Sequence, residues 1–130
     1  MFRLFGLLCI SCILLSLTSF IQTSPVTEVT EAIRKGDAES LGKYFNDMVD
    51  LNIPGFKDTY SKSQGSRIIK DFFSSRPVSN VVVNKDGTSP DGSKFVMGNI
   101  TAGGKKYSLY FLMRKSQGEF RIYLFQLQTE

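Results

Sequence analysis

The 130-residue chain has no histidine, no tryptophan and only two cysteines, Cys9 and Cys12. Without imidazole it lacks the one side chain whose ordinary pKa lies near neutral pH. Both cysteines fall within the first two dozen residues. The rest of the chain therefore offers no thiolate nucleophile, no soft metal ligand and no disulfide. Charge is scarce at the start: Arg3 is the only charged residue before Glu28. Long runs of one charge sign are missing everywhere, as are internal repeats and low-complexity stretches.

The uncharged start has a shape of its own. Leu4 to Ile21 is apolar around Leu7, Leu8, Ile13, Leu14 and Leu15, and it ends in small polar residues, Thr18, Ser19, Thr23 and Ser24. A basic start, an apolar middle and a polar end form an export signal, so residues 1–24 are expected to be a leader, with Ser19 and Thr23 as alternative residues before the cut. A retained anchor competes with this reading, because the run approaches the roughly 18–20 residues that cross a bilayer. Lipidation of Cys12 is disfavoured, since Cys9 stands where a lipobox has leucine. Each reading puts the folded part outside the cytoplasm, periplasmic or extracellular, and a membrane partner is expected only if the leader stays. A cysteine-free domain in that setting is held by its core alone.

Residues 25–130 suit a single domain, long enough to bury about 65% of its unfolded surface. The whole chain carries 16 Lys+Arg and 12 Asp+Glu; losing Arg3 leaves 15 against 12, a net charge of +3. The basic residues are spread out, and Arg34-Lys35, Lys105-Lys106 and Arg114-Lys115 are only pairs. This is not the clustered footprint of a nucleic-acid binder, and no nucleic-acid partner is expected.

Local signals divide this stretch into helices followed by strands. Pro25 to Gly36 reads as a helix capped by Thr27, with Val29, Ala32 and Ile33 as its apolar stripe and Gly36 at its C-terminal turn. Asp37 caps a second helix, Ala38 to Phe45, which Asn46-Asp47 should break. Val49, Leu51 and Ile53 alternate with polar residues as a strand. Pro54-Gly55 turns the chain into a short return strand, Lys57 to Tyr60. Ser61-x-x-Gln64 is a capping box opening the longest helix, Lys62 to Ser74, whose apolar face is Ile68, Ile69, Phe72 and Phe73. Strands follow from Val81, with turns at Asp86-Gly87, Asp91-Gly92, Gly103-Gly104 and Gln117-Gly118, the pattern of an antiparallel meander.

In the last hairpin, a two-residue turn at Gln117-Gly118 with uninterrupted pairing would set Met113 opposite Ile122 and Phe111 opposite Leu124. Leu112 and Tyr110 would then face Tyr123 and Phe125. Both faces come out apolar, so one face should pack on the helices and the other on something else, a curled part of the sheet or a second copy.

The order of Gly36-Asp37, Lys43-Tyr44-Phe45, Val49 to Ile53, Pro54-Gly55, Tyr60-Ser61-Lys62-Ser63-Gln64, Lys70-Asp71-Phe72-Phe73, Lys85-Asp86-Gly87 and the closing hairpin resembles a known family. It is similar to the small exported bacterial proteins grouped as domain of unknown function 4783, over residues 26–128. The resemblance implies an α+β fold, the cystatin-like cone of the nuclear transport factor 2 superfamily: a curved antiparallel sheet against N-terminal helices, with a concavity between. It brings no activity and no catalytic residues.

Chemistry-bearing residues are few. A Tyr/Asp set drawn from Tyr44, Tyr60, Tyr107, Tyr110, Tyr123, Asp50 and Asp71 could serve an isomerase or lyase in a cone cavity, but Asp50 and Asp71 lie on the polar sides of their elements. Asp86-Gly87 with Asp91-Gly92 lacks calcium-loop spacing and reads as turns. Gly103-Gly104-Lys105-Lys106 lacks phosphate-loop context. Nothing is read into the triplet Asn99-Ile100-Thr101. No catalytic residue, metal or cofactor is expected. The candidate ligand-binding residues are Tyr44, Phe72, Tyr110, Tyr123 and Arg121. The function expected is non-catalytic binding of a small apolar ligand or a protein, with a homodimer through the sheet; the small enzyme is the alternative.

Overall fold

The computed structural model describes residues 23–130. Most of the expected leader, with Cys9 and Cys12, lies outside the described residues. The chain runs as α1 (Pro25–Arg34), α2 (Ala38–Lys43), β1 (Phe45–Ile53), β2 (Phe56–Ser61), α3 (Lys62–Ser75), β3 (Val78–Thr88), β4 (Lys94–Ala102), β5 (Lys105–Ser116) and β6 (Glu119–Thr129). The helices cover one face of a curved, unclosed six-stranded sheet of order β2-β1-β6-β5-β4-β3. Neighbouring strands are antiparallel, except that β1 runs parallel to β6.

The caps explain the helix ends. Ser24, not Thr27, caps α1: its hydroxyl accepts from the Thr27 N–H, and Pro25 occupies the first helical position, where a missing N–H costs nothing. Gly36 takes a left-handed φ of +65° to turn the chain into α2. Asp37 caps α2 through the Ser40 N–H. That helix ends at Lys43, and Asn46-Asp47 does not break a helix but lies within β1. The chain is captured early because the Ile122 N–H donates to the Tyr44 carbonyl at 2.7 Å, which starts the parallel pairing at Phe45. Ser61 caps α3 through the Gln64 N–H, as the capping box predicts.

The core lies between the helices and the inner sheet face. Val96, Phe111, Phe125 and Leu51 form one buried row across β4, β5, β6 and β1. Val29 and Ile33 from α1, Leu41 from α2, and Ile69, Phe72 and Phe73 from α3 close onto this face. Phe72 and Phe73 meet edge-on at 5.6 Å, and Phe72 also meets Tyr107 at 5.7 Å.

The sheet bends where its ladder is interrupted. β3 shifts register between Val78 and Asn80 and again between Val83 and Lys85. Opposite the second shift lies Gly98, where a Cβ would stand 2.1 Å from the Val82 carbonyl oxygen. Bulges and glycine kinks are the ordinary means of curving a sheet. Asp86-Gly87 does not turn the chain: both residues stay in the edge strand β3, paired with Val96 and Phe95, and on the outer face Gly87 lies beneath the Phe95 ring, an aromatic cover for a bare glycine.

The closing hairpin keeps the two-residue turn, with Gln117 and Gly118 both at positive φ, and keeps Met113 opposite Ile122. The uninterrupted register does not hold beyond that point. A bulge shifts β6 by one residue, so Leu112 faces Leu124 and Phe111 faces Phe125. The correction has a packing cause. Four consecutive apolar residues, Ile122 to Phe125, cannot alternate strictly while both Ile122 and Phe125 are fully buried. The bulge sends Tyr123 and Leu124 together to the outer face.

Candidate functional site

The interior of the cone is filled. Phe45, Tyr107, Phe111 and Phe125 occupy the space between helices and sheet, each at most 2% exposed. The depressions described below open at the surface rather than within the core. No helix among the described residues is long and apolar enough to cross a membrane. No three Asp or Glu side chains among them group to hold a metal ion.

The five candidate residues do not converge. Phe72 is a core residue, and the Arg76 guanidinium stacks 4.5 Å from its ring centre. Tyr44 and Arg121 meet beside the end of α2, in a depression of about 390 Å³ that also holds Glu28 and Glu119. There the Tyr44 hydroxyl donates to the Glu28 carboxylate, and Arg121 pairs with Glu119 at 3.0 Å. The bond to Glu28 is the main reason the Tyr44 hydroxyl is pushed up to about 12; burial and the Glu28 charge add to it. A tyrosine so held is a fastener between α1 and the end of α2 rather than an acid at neutral pH. Tyr110 and Tyr123 lie on the outer sheet face.

That outer face is the most distinctive surface of the molecule. Strand register aligns Met97 with Tyr110 and Gln126, and next to them Phe95 with Leu112 and Leu124. Tyr123 joins through the bulge, with Arg114 stacked 5.5 Å from its ring centre. Met48 of β1 extends the patch, Val82 of β3 lies on the same face opposite Asn99, and Met48, Val82 and Met97 are each about half exposed (54%, 45% and 46%). Two shallow depressions mark it, about 670 Å³ around Met97 and Tyr110 and about 350 Å³ around Leu112, Tyr123 and Leu124. Sequence reasoning found Tyr110, Leu112 and Tyr123 from hairpin pairing. It missed Phe95, Met97 and Met48, whose strands carry no sign of where the sheet places them.

The arrangement gives no support to acid–base work by a Tyr/Asp pair. Asp50 sits on the outer face, where it accepts from the Thr59 hydroxyl across β1 and β2. Asp71 is exposed on α3. Tyr107 lies inside the core, edge-on to Phe72. Asp91 is held below its ordinary range by the Ser93 backbone N–H, and Asp37 likewise by the Ser40 hydroxyl; both are fully exposed turn or cap residues.

The DUF4783 family pattern, a domain of unknown function, matches residues 26–128. The chain belongs to this family. A DUF4783 family protein from Bacteroides uniformis superposes with a TM-score of 0.76 at 27% identity, covering 83% of this chain and 98% of that one. An NTF2-like protein of unknown function from Cytophaga hutchinsonii shares the fold at 15% identity and TM-score 0.58, covering 81% and 86%. So does an LEH-like epoxide hydrolase of M. tuberculosis, at 12% identity and TM-score 0.58, covering 81% and 75%. None of the curated proteins matches. This DUF4783 chain thus has the NTF2-like cone, a fold that carries both enzymes and proteins without known activity, and its function must be argued from its surface.

Proposed function

We propose that this DUF4783 protein is an exported, non-catalytic binding module. Its working surface is the outer sheet face, and its first occupant is a second copy of itself. Export rests on the leader pattern of residues 1–24. The observation that carries the binding reading is the outer row of Phe95, Met97, Tyr110, Leu112 and Leu124, continuous across β4, β5 and β6. A contiguous apolar patch on a small soluble domain marks a binding surface. A filled core leaves this face, not the cone interior, as the place for an apolar partner. Stacked sheets approach to about 10 Å, which lets side chains from two such faces interdigitate. The mixture of aromatic and methionine side chains is the composition enriched at interface centres.

Sedimentation velocity over a concentration series tests this. The expected result is a reversible dimer that dissociates at micromolar concentrations and becomes monomeric in the Leu112→Asp variant, with helix and sheet content unchanged. A wild-type protein that stays monomeric at about 0.5 mM, well above that range, would overturn self-association. An Asp variant that dimerises as well as wild type would place the contact elsewhere.

A further inference from the structure

A depression larger than either of those on the sheet face lies elsewhere. It is a groove of about 720 Å³ between α2 and α3, on the opposite side of the molecule from the outer face. Its floor is made by Ala38, Gly42 and Ser66. The helices approach closely there: a Cβ on Gly42 would stand 2.4 Å from the Ser66 Oγ. Its rim carries four cations, Lys43 from α2 and Lys62, Arg67 and Lys70 from α3. The α3 cations arise from helical spacing. Lys62, Ser66 and Lys70 are four residues apart and stack on one face, and Arg67 lies next to Ser66. Glu39 and Asp47 also line the groove, which leaves an excess of two positive charges. Among the described residues, none of the four cations lies within ion-pair distance of a carboxylate. The Ser66 hydroxyl already donates to the Lys62 carbonyl at 2.7 Å, so anion recognition falls to the cations rather than to that hydroxyl.

We propose that this groove binds a small anionic amphiphile: a carboxylate or phosphate monoester held by Lys62, Arg67 and Lys70, with its hydrocarbon portion laid along Ala38, Gly42 and the methylene stems of the lysines. The stems of long cationic side chains supply apolar surface while their heads stay in water. The volume lies within the range of small-molecule sites, about 300–1,000 Å³. The modest charge excess and the short groove fit one acidic head group, not a polyanion. Because Arg67 and Lys70 are exposed and Lys62 is only partly buried, each contributes little. Binding is therefore weak, sensitive to salt, and dependent on both parts of the ligand. This site is separate from the sheet face, so its failure and the failure of self-association are read independently.

The test is a backbone amide NMR titration of the domain with octanoate and octyl phosphate, against octylammonium and inorganic phosphate. Either anionic amphiphile is expected to shift the amides of Gly42, Ser66 and Arg67 saturably, while the amides of Met97 and Leu112 stay put. Octylammonium should leave the groove unmoved, and inorganic phosphate should bind at least about tenfold more weakly because the apolar contact is missing. The double variant R67E/K70E, at two exposed positions, should keep its amide spectrum elsewhere and lose about tenfold in affinity. If octanoate prevails, the head group is a carboxylate; if octyl phosphate prevails, it is a phosphate. The proposal is overturned by equal shifts from octylammonium, by undiminished binding to R67E/K70E, by inorganic phosphate matching the amphiphiles, or by no saturable shift in the groove at about 10 mM ligand.

Discussion

Gly98→Ala tests how this sheet acquires its curvature. The added Cβ would stand 2.1 Å from the Val82 carbonyl oxygen and 3.1 Å from the Val83 Cα, both backbone atoms of the neighbouring strand. An ordinary nonbonded contact needs roughly 3.5 Å, so β3 and β4 must part by more than about 1 Å. Overpacking of this kind costs about 1–3 kcal/mol. Stretching the adjoining ladder hydrogen bonds adds about 1 kcal/mol each. The expected loss is about 3 kcal/mol, a large share of the roughly 5–15 kcal/mol that holds such a domain. For a domain of this size it lowers Tm by roughly 10–20 °C. Gly104→Ala is the control. Gly104 has φ +76° but nothing within 4 Å of the added carbon, so only the left-handed backbone term applies, about 1–2 kcal/mol. Thermal and urea unfolding of both variants decide the matter. If Gly98→Ala unfolds no earlier than Gly104→Ala, close strand approach at Gly98 is not what the curvature depends on.

Phe72→Ala should cost about 3–5 kcal/mol in urea unfolding, because it empties the space between Phe73 and Tyr107; a loss under about 1 kcal/mol would show that this helix face is not core. The Tyr44 hydroxyl titrates higher in the fold than in the unfolded chain, so the unfolded state gives up its proton first as pH rises. Stability from that bond is complete below pH 10 and falls as pH rises toward about 12. Tyr44→Phe should flatten that alkaline decline, and an identical decline in the variant would refute the assignment.

Much of the architecture is legible in local chemistry. The capping box at Ser61, the Gly36 turn and the Gln117-Gly118 turn each satisfy backbone requirements within a few residues, so they show in the sequence. What is not legible depends on distant strands. The parallel pairing of β1 with β6 joins segments some 75 residues apart, and nothing near Phe45 announces it. Asn46-Asp47 carries the composition of a break, yet pairing with β6 draws it into a strand. The bulge at Tyr123 is hidden because Ile122 to Phe125 is apolar throughout, and only burial of Phe125 decides the register. The site residues follow the same logic. Tyr110 and Tyr123 were recognisable from hairpin pairing, whereas Met48 and Met97 join them only through the completed sheet. Lys43, Lys62, Arg67 and Lys70 look like scattered solvated charges along the chain, and packing of α2 on α3 gathers them.

The central claim is that this cone binds with its outside and not its interior. A concentration series of methyl NMR spectra reads both at once. Self-association through the outer sheet predicts that the methyl signals of Met48, Met97, Leu112 and Leu124 move with concentration while those of Met113, Ile122 and Leu127 stay fixed. Stationary signals from the outer set, or movement confined to the inner set, would contradict it.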